Sequence, residues 1–505
     1  MITTILKYFF GIIAVILIYE IIRGSIKATL VKRLTKSARK FITSHKIKID
    51  RFKFMNKFMV KQELMNNSDI HEAIVAHARE HNMNIQDVED LVEGYIEEIV
   101  PFFNLLSYYK FGYWVANFFI NILYEVVIDH ESADKLKKIP EDNAVVFVMN
   151  HRSNTDYILV AYMLAQNISI SYAVGEWARV WPLEYIFKSF GAYFLRRKFR
   201  EKLYHLVLEK YIQLISLQGV TQGIFIEGGL TRDGKFRDTK VGLIDYIVKI
   251  KQNPEFKGDV IFVPVGINYD WVLEDSALIK EWKTNVEKSG IGDNLTSLIR
   301  ITLKGPFTVF KNIIRYATGR LKNHGYASVS FGDPVSVSKF LNKQKKDFFK
   351  LARHDRLAVV KEFADLLLWK IGEVLPVTPV SLTARAILLL KKNSIEKNEL
   401  VRKINDLKKQ LKSNQCKIVI GKAFWSSQLS FKHLEREKTD RQKELVSFEE
   451  NLLEADESEK IADVALEILR RRKLVKVKRD RITVNKNRKA YIEYYANSVC
   501  HLLKG

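Results

Sequence analysis

Residues 144–156 read AVVFVMNHRSNTD, six apolar residues from Ala144 to Met149 followed by seven polar ones. A short, valine-rich apolar run bounded by polar residues is typical of a buried strand. Ser, Asn, Thr and Asp are the residues that most often cap the start of a helix. The stretch therefore predicts a strand that turns directly into a helix, with its polar residues at the turn.

Similar short apolar runs recur at Gly223–Ile226, Val260–Val265 and Ser328–Phe331, separated by longer helical patterns. This alternation predicts an α/β fold with a mostly parallel mixed sheet and flanking helices. Pro264 interrupts one run, and because proline lacks an N–H it predicts an edge or terminal position there. The connection from Asp270 to Lys322 is too long for one crossover and should contain its own helices.

The segments outside this α/β region have other patterns. Asn66–Ile99 has helical apolar spacing and predicts amphipathic helix. Pro101–Ile128 is rich in aromatic residues, which suits an interfacial helical hairpin, the apolar floor of a lipid site, or plain core. After Phe348 strand signals nearly vanish, and the spacing in Glu399–Leu411 predicts a helix within a C-terminal helical region. Pro376 and Pro379 mark the expected joint.

The chain begins with an apolar stretch, Ile2–Ile22, interrupted only by Lys7 and Glu20. Arg23–Lys61 then carries 13 Lys/Arg and one acid, half of the net charge of +24. This order predicts a membrane-anchor helix with the body of the protein on the cytoplasmic face, a buried core helix being the alternative. The basic block suits anionic headgroups, although a solvated face has the same composition. The 2 cysteines exclude a disulfide framework and indicate a reducing compartment.

His151 and Asp156 are the first candidates for chemistry. Five residues apart on a regular helix they would diverge by about 140°, so they can meet only across a strand-to-helix turn. Asp156 would then accept from one ring nitrogen of His151 and leave the other to take a proton from an alcohol. No nucleophilic side chain accompanies them, so the substrate hydroxyl itself would attack. A structural histidine at a helix start is the alternative.

Two further motifs carry positive charge beside apolar runs. GAYFLRR ends in Arg196 and Arg197, whose planar donor forks suit a phosphate. FIEGGLTRDGK follows a predicted strand with Glu227, after which glycines 228 and 229 would let backbone approach a ligand. Arg232 and Lys235 add charge at the carboxyl end of that strand, where α/β sheets bind ligands. Solvated chain ends and an ordinary glycine turn are the alternatives.

The succession NHxxxxD, GxxFLRR, EGGxTRxGK and VPVxI resembles the glycerolipid acyltransferase family, in particular its glycerol-3-phosphate and dihydroxyacetone-phosphate branch. Lysophosphatidic acid acyltransferases more usually carry Glu-Gly-Thr in the third motif. The resemblance extends from about Tyr124 to the end of the chain. The resemblance and the patterns above together predict an anchor helix at 1–24, a basic and helical region at 25–125, an acyltransferase domain at 126–345 and a C-terminal helical domain at 346–505.

By this resemblance His151 is the catalytic base and Asp156 orients it. The residues implied in substrate binding are Arg196, Arg197, Glu227, Gly228, Gly229, Thr231, Arg232, Lys235, Lys240 and Pro264. The family commonly has Arg-Ser-Arg after Glu-Gly-Gly, whereas this chain has Leu230-Thr231-Arg232. One donor fork is missing, so Arg197, Lys235 or Lys240 would have to replace it.

The resemblance thus implies a glycerol-3-phosphate 1-O-acyltransferase, and the order of apolar and basic segments predicts that it lies at the cytoplasmic face of a bacterial membrane. Its acyl donor would be acyl carrier protein or CoA thioester, with no metal and no other cofactor. Lysophosphatidic acid or dihydroxyacetone phosphate are alternative acceptors. A membrane-tethered module that binds nucleic acid or lipid through Arg23–Lys61 and Arg470–Lys489 is the non-enzymatic alternative, although no nucleic-acid partner is expected. We expect part of the C-terminal charge to receive an acidic carrier protein.

Overall fold

A computed structural model of the chain describes residues 57–101, 113–129, 135–140, 142–164, 171–175, 184, 187–188, 191–196, 199–284, 324–344, 347–421, 423–424 and 457–503. Its main sheet is built from eight strands. They are β1 (Glu125–Ile128), β2 (Ala144–Met149), β3 (Ser171–Gly175), β4 (Tyr193–Leu195), β5 (Gln222–Phe225), β6 (Val260–Tyr269), β7 (Tyr326–Phe331) and β8 (Val335–Ser336). The strands predicted from the four apolar runs are all present.

The sheet is mixed and mostly parallel. Its order is β1-β7-β6-β2-β5-β3-β4, with β8 paired to one end of β6. The strands from β6 to β4 are parallel neighbours, while β7 and β8 run antiparallel to β6. Met149 at the end of β2 pairs with Phe225 on one side and Val265 on the other. The loops after β2 and β5 therefore leave the sheet at the same level.

Helices cover both faces of this sheet. On one face lie α1 (Lys57–Met65), α2 (Ser68–His81), α3 (Ile85–Ile99), α6 (Lys202–Leu217), α7 (Gly242–Val248), α9 (Val337–Leu341) and α10 (Arg353–Glu373). On the other lie α4 (Tyr113–Leu123), α5 (Asp156–Leu164), α8 (Asp275–Thr284), α11 (Pro379–Leu390), α12 (Lys397–Ser413), α13 (residues 457–471) and α14 (Lys489–Asn497).

Strand β2 supplies both hydrophobic cores. Val146 and Val148 join the first helical layer, whereas Phe147 and Met149 join the second. Successive side chains of a strand point to opposite faces, so a strand covered on both sides must be apolar throughout. This requirement explains the continuous apolar run of residues 144–149.

Pro264 corrects one prediction, because β6 is an interior strand and not an edge. Its β2 neighbour is Val148, and its carbonyl accepts a hydrogen bond from the Gly332 N–H at 2.8 Å on the other side. The nitrogen and carbonyl of one strand residue point to the same side. The missing N–H thus falls where the chain passes from β7 to β8, and no ladder bond is lost.

Other predicted segments have mixed outcomes. Asn66–Ile99 forms two helices, α2 and α3, separated by Asn82 at a φ of 53° and the cap residue Asn84. Within the aromatic stretch, α4 and β1 place Ile120 and Tyr124 in the core, while residues 102–112 lie outside the described residues. The long connection after β6 contains α8, as expected.

The C-terminal region is mainly helical, but the prediction that strands vanish there is wrong. Strands β9 (Ser394–Glu396), β12 (Val475–Lys478) and β13 (Arg481–Val484) form an antiparallel sheet, and β10 (Val419–Ile420) pairs with β11 (Ala423–Phe424). In β12 and β13 apolar residues alternate with exposed polar ones, mostly basic. One apolar face is enough for a strand that borders a core on one side only.

The predicted membrane anchor and almost all of the basic block lie outside the described residues. Among the helices that the structure does describe, none is long and apolar enough to cross a bilayer. The predicted domain limits stay predictions.

Arg472, in the C-terminal basic block, joins α13 and α14 to the loop after β6. Its buried guanidinium forms an ion pair with buried Asp275 at the start of α8. It also donates to the Tyr495 hydroxyl at 2.7 Å, and that hydroxyl donates in turn to Asp275. Trp271 packs against the guanidinium at 4.7 Å. This arginine is therefore part of the interior and does not form a solvated basic face.

We expect Arg472→Met to lower the free energy of unfolding by about 3–5 kcal/mol, because it leaves the Asp275 carboxylate buried without its partner. Denaturant unfolding of the purified protein measures the change. Arg470→Met, at an exposed position two residues away, is the matched control. The double variant Arg472→Met with Asp275→Asn should recover part of the loss, and a single variant as stable as wild type would contradict the prediction.

Candidate active site

The site begins where β2 ends. The Asn150 side chain binds the neighbouring strand β6 twice, accepting from the Ile267 N–H at 2.8 Å and donating to its carbonyl at 2.9 Å. A side-chain amide that pairs with backbone in this way replaces a ladder partner after the strand has ended. The turn that carries the next residues is thereby fixed to β6.

The predicted pair of His151 and Asp156 is present. The distance between His151 Nδ1 and Asp156 Oδ2 is 2.9 Å, and both side chains are buried. The same Oδ2 accepts from the N–H groups of Arg152 (2.7 Å) and Ser153 (3.1 Å). The Asp156 carboxylate therefore both closes the turn and orients the His151 ring. Within the described parts of the chain no hydrogen bond is made to Nε2, and Phe225 stacks on the ring at 4.1 Å.

Tyr269, at the end of β6, was not predicted as a site residue. Its hydroxyl donates to Asp156 Oδ1 at 2.7 Å. Burial raises the pKa of Tyr269 well above its ordinary value, and the nearby Asp156 raises it further, so the phenol keeps its proton and remains a donor. The carboxylate thus has a donor on each oxygen.

Glu274 is a second residue that the sequence did not indicate. It accepts from the Ser153 hydroxyl at 2.7 Å and from the Asn154 N–H at 3.2 Å. Burial raises the pKa of this carboxyl group, while the Ser153 bond lowers it. Glu274 therefore ties the turn of residues 151–156 to the loop after β6. The only local signal is its place a few residues beyond the carboxyl end of β6.

Glu227 reaches the same turn from β5, although it was predicted to bind substrate. One oxygen accepts from the His151 N–H at 2.9 Å and the other from the Arg237 N–H at 2.7 Å. Burial raises the pKa of Glu227 to about 7, an increase opposed by these two donors and by the charge of Arg152. Both oxygens are thus engaged in holding the His151 backbone against the loop of residues 228–240.

That loop is tightly closed. Gly228 has a φ of +63°, and an added Cβ would lie 2.7 Å from Lys240 Cγ. Gly234 has a φ of +87° and approaches α14 so closely that a Cβ would lie 1.9 Å from the Tyr494 carbonyl oxygen. Thr231 is buried, donates to the Lys235 carbonyl at 2.6 Å and accepts from the Gly234 N–H. Its hydroxyl supports the turn.

The predicted cationic residues differ in their surroundings. Arg232 forms an ion pair with Glu281 of α8 at 3.0 Å. The Lys235 and Lys240 side chains are exposed, whereas Gly229 is buried. Arg197 lies outside the described residues. Pro264 is inside the sheet, where its ring approaches Gly332.

Arg196 follows β4 and borders a cavity of about 270 Å³ at the carboxyl ends of β3, β4 and β5. Lys240 lines the same cavity, together with His205, Tyr246 and mainly apolar residues. One of them is Phe225, the ring that stacks on His151. The cavity therefore shares Phe225 with the histidine and is bordered by two of the predicted phosphate ligands.

Comparison with known proteins finds two family matches in this chain. Residues 132–268 match the acyltransferase family, and residues 310–423 match the glycerol-3-phosphate acyltransferase C-terminal region. The glycerol-3-phosphate acyltransferase of Aeromonas hydrophila is 25% identical over 391 residues, covering 75% of this chain and 46% of that protein. The two family matches and this relative indicate the glycerol-3-phosphate acyltransferase branch of the acyltransferase family.

A second relative of this branch, the glycerol-3-phosphate acyltransferase of Haemophilus influenzae strain PittEE, is 23% identical over 79% of this chain and 48% of its own length. The chain thus spans just under half the length of these curated relatives. The crystal structure of the 1-acyl-sn-glycerophosphate acyltransferase of Thermotoga maritima is 18% identical, covering 52% of this chain and 80% of that one, with a TM-score of 0.28. Helices α1–α3 lie outside both family matches.

The raised pKa of Glu227 predicts a dependence of stability on pH. Because its ordinary value is 4.5 and its value in the fold is about 7, the folded protein binds more protons than the unfolded chain in that interval and loses stability as pH rises through it. Between these two pKa values the free energy of unfolding of the wild type should fall by roughly 3 kcal/mol, at about 1.4 kcal/mol per pKa unit. Glu227→Gln cannot ionise there and should not show this fall. Melting temperatures between about pH 5 and pH 8 test this.

Wild type should therefore lose more melting temperature than Glu227→Gln over that interval, whatever the constant cost of the substitution. Glu362→Gln, an exposed position on α10, is the matched control. Parallel pH curves for wild type and Glu227→Gln would contradict the prediction.

Proposed function

We propose that this chain is a glycerol-3-phosphate 1-O-acyltransferase, which transfers an acyl chain from acyl carrier protein or CoA to the sn-1 hydroxyl of glycerol 3-phosphate and yields lysophosphatidic acid. The observation that carries the proposal is the buried His151–Asp156 pair, 2.9 Å apart, whose ring stacks on Phe225, a residue of the cavity that Arg196 and Lys240 line. Family membership and the names of the relatives support the reaction class.

The proposed chemistry is a direct transfer. With its Nδ1–H donated to Asp156, His151 presents Nε2 as an acceptor and takes the proton of the sn-1 hydroxyl. The hydroxyl oxygen bonds to the thioester carbonyl carbon, and the tetrahedral intermediate then collapses with cleavage of the carbon–sulfur bond. The departing thiolate takes the proton from Nε2. The proton taken from the hydroxyl leaves on the thiol, and the histidine returns to its starting state. The proposed reaction therefore requires no other cofactor.

Phosphate recognition is assigned to the cationic groups near the cavity. Lys240 passes over Gly228 into it, and Arg196 borders it from β4. Arg232 is engaged with Glu281, so it contributes charge but has a competing partner. Lys240 thus replaces the donor fork that this chain lacks after Glu-Gly-Gly, with Lys235 and Arg197 as further candidates.

The apolar lining of the cavity and the nature of the product both suit a site at a membrane. We assign the protein to the cytoplasmic face of a bacterial cell membrane, held by the apolar segment at residues 1–24 and the basic block that follows. The acyl donors, carrier protein and CoA, are both anionic and cytoplasmic, which agrees with the net charge of +24. Membrane lipids are thus the third partner, after the acyl donor and glycerol 3-phosphate.

One acceptor panel tests the assignment. Purified full-length protein in vesicles receives labelled acyl donor, as carrier-protein or CoA thioester, with glycerol 3-phosphate, dihydroxyacetone phosphate or lysophosphatidic acid. We expect glycerol 3-phosphate to give the highest kcat/KM and a 1-acyl product. Preference for either other acceptor would overturn the substrate assignment while keeping the reaction class.

His151→Ala should reduce kcat by about 10²–10⁴-fold, the usual contribution of a general base. Asp156→Asn should have a loss of similar order, because an amide leaves the histidine in the wrong tautomer. Initial rates with glycerol 3-phosphate measure both variants. His354→Ala, whose side chain is 97% exposed, is the matched control. Activity within about tenfold of wild type in His151→Ala would rule out the base.

Tyr269→Phe should reduce kcat roughly tenfold and move the acidic limb of the pH–rate profile to higher pH. Without the phenol, Asp156 accepts more strongly from the His151 Nδ1–H, which stabilises the charged imidazolium. Tyr193→Phe is the matched control, because that buried hydroxyl has no hydrogen-bond partner in the described structure. A slower variant with an unmoved pH profile would assign Tyr269 to packing alone.

A further inference from the structure

Glu98, in the last turn of α3, holds the guanidinium of Arg196. One carboxylate oxygen accepts from Arg196 Nε at 2.7 Å, and the other accepts from Nη2. Glu98 is buried, and the Arg196 side chain is 29% exposed. A bidentate pair of this kind fixes both the position and the plane of the guanidinium.

Aromatic rings fix the same group from its faces. The guanidinium carbon lies 4.7 Å from the Phe199 ring centre, 5.7 Å from that of Tyr204 and 6.0 Å from that of Tyr95. Tyr95 lies one helical turn before Glu98 on α3, so this helix contributes both a ring and a carboxylate. The arginine therefore has few rotamers available even before a ligand arrives.

The pair uses only one edge of the guanidinium. Glu98 occupies the Nε and Nη2 edge, and across the described part of the chain no hydrogen bond is made to Nη1. A guanidinium has five N–H donors on two usable edges, so a second anion can bind at the Nη1 and Nη2 edge. Arg196 borders the cavity and is partly exposed, which leaves that edge accessible to a ligand.

Without a partner, a carboxylate at the position of Glu98 would be electrostatically unfavourable. The last turn of a helix carries the negative end of the helix dipole, and burial adds a desolvation cost. The pairing with Arg196 offsets these costs. It also joins α3, which lies outside both family matches, to the motif that ends β4.

We propose that Glu98 is a positioning residue for the acceptor phosphate: it holds Arg196 so that the free guanidinium edge faces the cavity. The inference rests on the proposed function, because it takes Arg196 as a phosphate ligand. The helical layer α1–α3 then completes the acceptor site. Without Glu98, Arg196 must lose side-chain freedom on binding, which costs about 0.5–1.5 kcal/mol, a factor of roughly 2–13 in affinity.

In the alternative model, Glu98 competes with the phosphate of the substrate for Arg196. Competition requires both anions to use the same edge, whereas the contacts of Glu98 leave one edge open. The two models predict opposite signs. Removing a positioning residue raises KM for the acceptor, and removing a competitor lowers it.

The test uses full-length protein with saturating acyl donor and varied glycerol 3-phosphate. We expect Glu98→Ala to raise KM for glycerol 3-phosphate about three- to tenfold while kcat and KM for the acyl donor stay within about twofold. Glu98→Gln, which retains one oxygen acceptor, should give a smaller rise. Glu97→Ala is the matched control, because that neighbouring carboxylate pairs with Lys57 and is 55% exposed.

Arg196→Ala separates the two hypotheses. If it leaves KM for glycerol 3-phosphate unchanged, the phosphate role in the proposed function fails. If it raises KM but both Glu98 variants keep the wild-type KM, or lower it, the positioning role fails. Should Glu98→Ala not fold, Glu98→Gln decides alone, because its amide oxygen can still accept the hydrogen bond from Arg196 Nε–H. In that variant, a KM for glycerol 3-phosphate at or below the wild-type value overturns the inference. A raised KM with unchanged kcat supports it.

Discussion

The Asp156 carboxylate accepts four hydrogen bonds in a fully buried position: two from backbone N–H groups, one from the His151 ring and one from Tyr269. The backbone bonds close the turn of residues 151–156 directly before α5, so the shape of the turn and the ring orientation depend on one group. Tyr269 adds the end of β6 to the same group. A buried carboxylate is tolerated only when its oxygens are satisfied, and here three donors come from residues 151–153 of the turn and the fourth from the end of β6. Changing any one of them alters the others.

The surrounding acids extend this principle. Glu227 binds the His151 N–H from β5, and Glu274 binds Ser153 and Asn154 from the loop after β6. The turn is thus held from the carboxyl ends of both neighbouring strands. In the His151–Asp156 pair, Nε2 of the histidine is then the side-chain polar atom to which no hydrogen bond is made among the described residues. Rigid support of one reactive atom is what a general base requires.

The sequence predicted the features that depend on local pattern. Apolar runs located the strands, because a strand covered on both faces must be apolar at consecutive positions. His151 and Asp156 were predicted because a strand-to-helix turn brings close residues together. Tyr269 and Glu98 were not, since their contacts depend on sheet register and on the docking of α3, over 113 and 98 residues of chain. Strands β12 and β13 were missed because their exposed lysines and arginines obscure a period-two pattern.

The contacts between the catalytic loops and the C-terminal helix have a consequence for synthesis of the protein. Tyr495 binds Asp275, Asn497 donates to the Asp233 carbonyl, and the Tyr494 backbone covers Gly234, over as many as 264 residues of chain. A chain emerging from the ribosome has its histidine turn long before these residues appear. The loop of residues 228–240 therefore lacks its cover until α14 has left the exit tunnel. The candidate site is therefore complete only after residues 494–497 have been made.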